Sequence, residues 1–111
     1  MKEVSYINYN GNKVPFRVSY KALKHFDQET GEDHIKILNG EIEDYNLTEL
    51  LYYYCIENGY EAINQECPFT KNDIEDIIDE CFDQLVSAAK DFFSSNQSET
   101  PTKPTKNQTK N

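Results

Sequence analysis

Glu3-Val4-Ser5-Tyr6-Ile7-Asn8-Tyr9-Asn10-Gly11-Asn12-Lys13-Val14-Pro15-Phe16-Arg17-Val18-Ser19, residues 3–19, decides the fold class. Residues 3–9 and 13–19 are rich in Val, Tyr, Phe and Ile, and Asn10-Gly11-Asn12 between them is a strong short-range hairpin signal. A two-residue turn at Asn10-Gly11 or at Gly11-Asn12 puts Ile7 and Tyr9 on the face of Val14, Phe16 and Val18, so either register makes one apolar face. Pro15 cannot donate a ladder hydrogen bond, so its strand has an edge there or the hairpin stands alone. A lone hairpin is marginal in water, so that face has to pack on something else.

Helices follow. Ser19 is a candidate N-cap for a helix over Tyr20–Thr30, with Tyr20, Leu23 and Phe26 turned inward and Gly31 at the C-cap. Residues 31–43 are mostly polar around His34-Ile35-Lys36-Ile37-Leu38 and read as a brief strand or an anchored loop. Asn46 and Glu49 have capping-box spacing, and Leu47, Leu50, Leu51, Tyr54 and Cys55 then recur at helical intervals as far as Asn58-Gly59. Tyr60–Gln65 adds a further turn or two before Pro68. Thr70 with Asp73 repeats the capping signal. From Ile74 through Ile77, Ile78, Cys81, Phe82, Leu85, Val86, Ala89, Phe92 and Phe93, steps of three and four describe one apolar stripe on a long helix. From Ser94 the composition becomes Ser, Thr, Asn, Gln, Pro and Lys with no large apolar side chain to bury, so 94–111 reads as a disordered tail. The expected fold is therefore α+β: an N-terminal β-hairpin packed on about three α-helices over residues 1–93, then the tail over 94–111.

The chain has 111 residues and a net charge of -9. Residues 1–93 carry 8 Lys/Arg against 19 Asp/Glu, whereas 94–111 carry 3 Lys against 1 Glu. Such an acidic surface repels phosphate backbones, which disfavours nucleic acid and favours basic partners. Cys55, Cys67 and Cys81 are odd in number and lack Cys-x-x-Cys spacing, so neither a disulfide framework nor a zinc site is expected. The N-terminus carries no run of signal-peptide length and no stretch approaches a membrane span, so a reducing cytoplasm is the expected location.

No catalytic motif is present. Asp73, Glu75, Asp76, Asp79, Glu80 and Asp83 lie off the apolar stripe and read as a solvated face that suits a helix N-terminus. His25 and His34 lack ligand spacing and read as surface residues. Cys55 and Cys81 fall on apolar helical faces and read as small hydrophobes, leaving Cys67 as the thiol to test for reactivity. Three consecutive tyrosines, Tyr52-Tyr53-Tyr54, cannot all face one core because helical positions are about 100° apart. At least one is expected outward, where tyrosine either serves binding or lays its ring over a neighbouring helix.

Three stretches carry a resemblance to the tail assembly chaperones of long-tailed bacteriophages. They are the hairpin with Asn10-Gly11 and Val14-Pro15-Phe16-Arg17-Val18, the segment Tyr20–Gly31 ending Glu29-Thr30-Gly31, and the Leu/Tyr-rich Leu47–Gly59, followed by the acidic helix from Thr70 to Phe93. The resemblance implies a non-enzymatic, cofactor-free protein of the host bacterial cytoplasm that escorts the helical tape measure protein before the tail tube polymerises. It also implies self-association and absence from the finished virion. Leu50, Tyr52, Tyr53 and Phe93 are the residues expected to meet the partner, and no metal site, nucleic acid or membrane is expected. The rivals are an acidic DNA-mimic inhibitor of a nucleic-acid enzyme and a small enzyme built on carboxylates such as Asp76 and Glu80.

Overall fold

The computed structural model describes residues 4–99, with side chains described through Asp91. Strands β1 (Ser5–Tyr9) and β2 (Asn12–Phe16) form an antiparallel hairpin, followed by helices α1 (Tyr20–Thr30), α2 (His34–Leu38), α3 (Tyr45–Ala62) and α4 (Ile74–Glu99), the last entered through a single 3-10 turn at Lys71–Asp73. The architecture is the expected hairpin on helices, with three long helices and one short one. The last helix outruns its expected end at Phe93, since its backbone is helical as far as Glu99. The rest of the tail read from the sequence lies outside the described residues.

The turn sits at Asn10-Gly11, both with positive φ (52° and 78°), the backbone that a two-residue turn between right-twisted strands requires. Ile7 then pairs with Val14 and Ser5 with Phe16, and Ile7, Val14 and Phe16 are buried on one face. With this turn the Tyr9–Asn12, Ile7–Val14 and Ser5–Phe16 pairs exchange the ladder hydrogen bonds, so Pro15 falls at a position where β1 asks for no donor. Both outer edges of the hairpin are then met by helices. On the β2 side the Arg17 N–H donates to the Cys55 carbonyl of α3 at 3.0 Å. On the β1 side the Gln84 carboxamide of α4 accepts from Asn8 N–H at 2.8 Å and donates to Asn8 C=O at 3.2 Å. One side chain thus supplies both bonds that a neighbouring strand would supply, which blunts that edge against strand addition.

Gly59 explains why α3 does not stop at Asn58-Gly59. A Cβ there would stand 2.5 Å from the Pro15 carbonyl carbon and oxygen, so only glycine lets the helix lie directly on β2. The same two residues were read from the sequence as a helix end, and contact with the hairpin overrides that local signal. Asn58 is buried and bonded at both ends of its carboxamide: Arg17 Nη1 (3.1 Å) and Ser19 Oγ donate to its carbonyl oxygen, and its Nδ2 donates to Glu61 at 3.0 Å. Ser19 in turn accepts from Ala22 N–H as the α1 cap, so one polar chain ties the hairpin exit to α1 and α3.

Other local expectations change. α1 matches Tyr20–Thr30 with Gly31 at φ 74°, but Tyr20 is 78% exposed; as the first helical residue it faces away from the core that takes Ala22, Leu23 and Phe26. Residues 34–38 form α2, a single turn capped by Asp33, in place of a strand or loop. α3 begins one residue after its cap Asp44, two earlier than Asn46 suggested, because Asp44 captures Leu47 N–H at 3.1 Å. The Thr70–Asp73 capping box forms as read. Among the described residues no helix is long and apolar enough to cross a membrane.

Candidate functional site, an apolar groove between two helices

α4 has more apolar surface than the core consumes. Ile74, Ile77, Cys81, Leu85 and Ala88 are buried and pack inward, Leu85 with no exposed surface. Ile78, Phe82, Val86 and Ala89 make a second row at intervals of four, four and three, which on an ideal helix lies about 90° around the axis from the first; the backbone is kinked within it at Cys81 (φ -125°, ψ 19°). The single stripe read from the sequence is thus two. Phe82, assigned there to the core, is 51% exposed. The width of the pattern was the available signal: the ten positions span about 180° of the helix, more than one packing face covers.

The second row is one wall of a groove of about 1210 Å³. The opposite wall is the start of α3, where Tyr45, Thr48, Glu49 and Tyr52 recur at intervals of three, one and three, and Ile37, Leu38 and Ile42 from α2 and the loop after it close one side. Tyr52 is part of the floor; it is 6% exposed and its ring rests against Phe16 at 6.0 Å between centroids. Tyr45 stands 88% exposed at the mouth. The rim is acidic: Glu43, Asp44, Glu49 and Asp79 line it, against Lys90 alone as a cation. Burial pushes the Glu49 carboxyl above its ordinary value, and the like charge of Glu75 pushes it further.

Of the residues expected to meet a partner, the groove takes Tyr52 only. Leu50 is half-buried and packs against the core from outside the groove lining. Tyr53 is half-buried on the far side of α3, its single hydroxyl proton within reach of either Glu57 (3.3 Å) or the Phe69 carbonyl (3.4 Å), and burial with Glu57 pushes that hydroxyl up to about 12. Tyr54 is buried, stacked on His25 at 4.3 Å. Of the three tyrosines, two are buried and the third lies over the 63–70 loop. The Phe93 side chain lies outside the described residues. Phe82, Ile42 and Tyr45, which sequence reasoning left out, hold the exposed apolar surface of the groove.

The remaining reactive groups are accounted for by structure. Glu75, Asp76, Asp79, Glu80 and Asp83 are exposed, the solvated face expected. Asp27, Asp33 and His34 gather within 4.8 Å, but each has a local task. Asp33 caps α2, while Asp27 accepts from the His34 backbone at 2.9 Å and meets its ring at 3.0 Å, pinning α2 to α1. His34 is therefore only 18% exposed at its side chain, not the surface residue expected. Cys55 and Cys81 are buried, and burial pushes the Cys55 thiol up to about 12. Cys67 is half-buried and its thiol is also pushed up by burial, which keeps it protonated and slow as a nucleophile.

Compared with known protein-family models, curated proteins and solved structures, the chain matches none.

Proposed function

We propose that this protein is a non-enzymatic tail assembly chaperone of a long-tailed phage, which binds helical segments of the tape measure protein and keeps them soluble in the host cytoplasm until the tail tube encloses them. The observation that carries this reading is the groove: an apolar floor between two helices, open along its length and rimmed by charge. A tape measure helix exposes apolar stripes until it is enclosed, and an amphipathic helix laid in an apolar groove is a recurrent mode of recognition. The net charge of -9 serves the same role by keeping a complex with an apolar client dispersed. The sequence resemblance suggests the client, and an apolar groove of helical width supports that reading.

Co-expression with the tape measure protein of the same genome tests the reading. A soluble complex is expected, and Phe82→Glu, which puts a charge on the groove wall, is expected to return the client to the insoluble fraction. The absence of a complex under every co-expression condition overturns it, as does capture of a basic nucleic-acid enzyme with salt-sensitive affinity in its place, the behaviour of a DNA mimic.

A further inference from the structure

The groove's two walls are rows of helical side chains, and its rim is nearly all of one sign. Both facts restrict what can occupy it. The α4 wall runs from Ile78 to Lys90 across the kink at Cys81, at most about 18 Å at 1.5 Å per residue, which is the length of roughly three helical turns. Rows spaced three and four residues apart on facing helices leave a channel whose complement is the ridge of another helix. An extended strand would leave its backbone polar groups unpaired on this apolar floor, whereas a helix brings its own satisfied.

Charge narrows the occupant further. Glu43, Asp44, Glu49 and Asp79 face whatever lies in the groove, and Lys90 stands at one end. Resting on the chaperone reading above, we infer that the groove selects client helices whose apolar ridge is flanked by lysine or arginine, with one of those cations seated at Glu49. Glu49 is the rim acid most in need of a cation: it is half-buried and lies within the field of Glu75, so its negative charge is disfavoured while the groove is open. An incoming ammonium or guanidinium relieves both penalties at the moment the apolar ridge covers Phe82 and Val86. A second copy of this chain is a poor occupant, since it brings the same excess of negative charge.

The test uses the full chain and synthetic helical peptides of about three turns, each with a Leu/Phe ridge at intervals of three and four. One set carries Lys on both flanks of the ridge, a second carries Glu at the same positions, and a third keeps the Lys residues but scrambles the ridge. Fluorescence anisotropy at low and high salt reads the affinity. The Lys-flanked peptide is expected to bind about tenfold or more tighter than the Glu-flanked one, with the gap narrowing in salt. Glu49→Lys is expected to close that gap, and Phe82→Ser to weaken both peptides, with circular dichroism confirming that each variant is folded. Equal affinity for Lys and Glu flanks overturns the inference. So does equal affinity for the scrambled ridge, failure of both ridge peptides to bind, or self-association of the protein that Phe82→Ser abolishes. The two readings fail separately. A tape measure complex that ignores Glu49→Lys removes the charge selection and leaves the chaperone, whereas Lys-flanked binding without any tape measure complex does the reverse.

Discussion

The two apolar rows of α4 are made of the same residue types on the same helix, yet one is closed and the other open. The row of Ile74, Ile77, Cys81 and Leu85 meets the hairpin and α3, and there Gln84 closes the edge of β1 and Cys81 donates from Sγ to the Asn8 carbonyl at 3.1 Å. The row of Ile78, Phe82, Val86 and Ala89 lines the groove instead, with Ala89 buried and Ile78 half-buried against the core but Phe82 half exposed. The closed row shows what this chain does when its apolar surface is needed for its own stability. The open row leaves Phe82 half exposed, across the groove from the half-buried Glu49 of α3, whose carboxyl is pushed above its ordinary value by burial and by Glu75.

Breaking the closed side is expected to cost the most. Gly59→Ala improves helix propensity by about 1 kcal/mol, but its Cβ meets backbone atoms of Pro15 that cannot rotate aside. A net loss of about 4 kcal/mol is expected, measured by urea denaturation, with the hairpin lifted from α3. A substitution without effect would mean that α3 and β2 are not in contact.

The rows themselves can be compared directly. Leu85→Ala deletes a side chain with no exposure and is expected to destabilise by about 3 kcal/mol, whereas Phe82→Ala, half in water already, is expected to cost about 1 kcal/mol or less in the free protein. Equal costs would show that the groove is closed in solution and would remove the distinction between the rows.

Alkali offers a graded version. The Cys55 thiol has an ordinary value of 9.0 and is pushed up to about 12 by burial, so the unfolded chain loses that proton first. Stability is therefore whole below about pH 9 and falls as pH rises toward 12, by about 1.4 kcal/mol per unit from this group. The Tyr53 hydroxyl, raised from 10.0 to about 12, acts in the same direction above pH 10. Thermal melts between pH 8 and pH 11 check the fall, and Cys55→Ala is expected to flatten its first part; a profile flat through about pH 11 in the parent protein would contradict the burial of Cys55.

Much of the fold was legible because its signals are local. Asn10-Gly11 demands positive φ at two adjacent residues, Ser19 and Gly31 delimit α1, and the Thr70–Asp73 box opens the last helix; each is a property of a few bonds. The misreadings share the opposite property. Asn58-Gly59 looked like a helix end because glycine is a poor helix residue, and only the approach of Pro15 shows why it stands mid-helix. His34 looked exposed until Asp27, seven residues away and on another helix, was brought against it. Of the candidate site, Tyr52 was anticipated and Phe82 was not, since a periodicity identifies apolar positions without saying how wide a face the neighbours cover.

By itself, then, the sequence determined the hairpin, the three long helices, the caps of α1 and of the last helix, and the net acidity, because these depend on backbone preference and formal charge. The tertiary structure alone decided that α4's apolar arc is divided between a core and a groove. That division is set by the reach of the hairpin on one side and of α2 and α3 on the other, distances no local pattern contains.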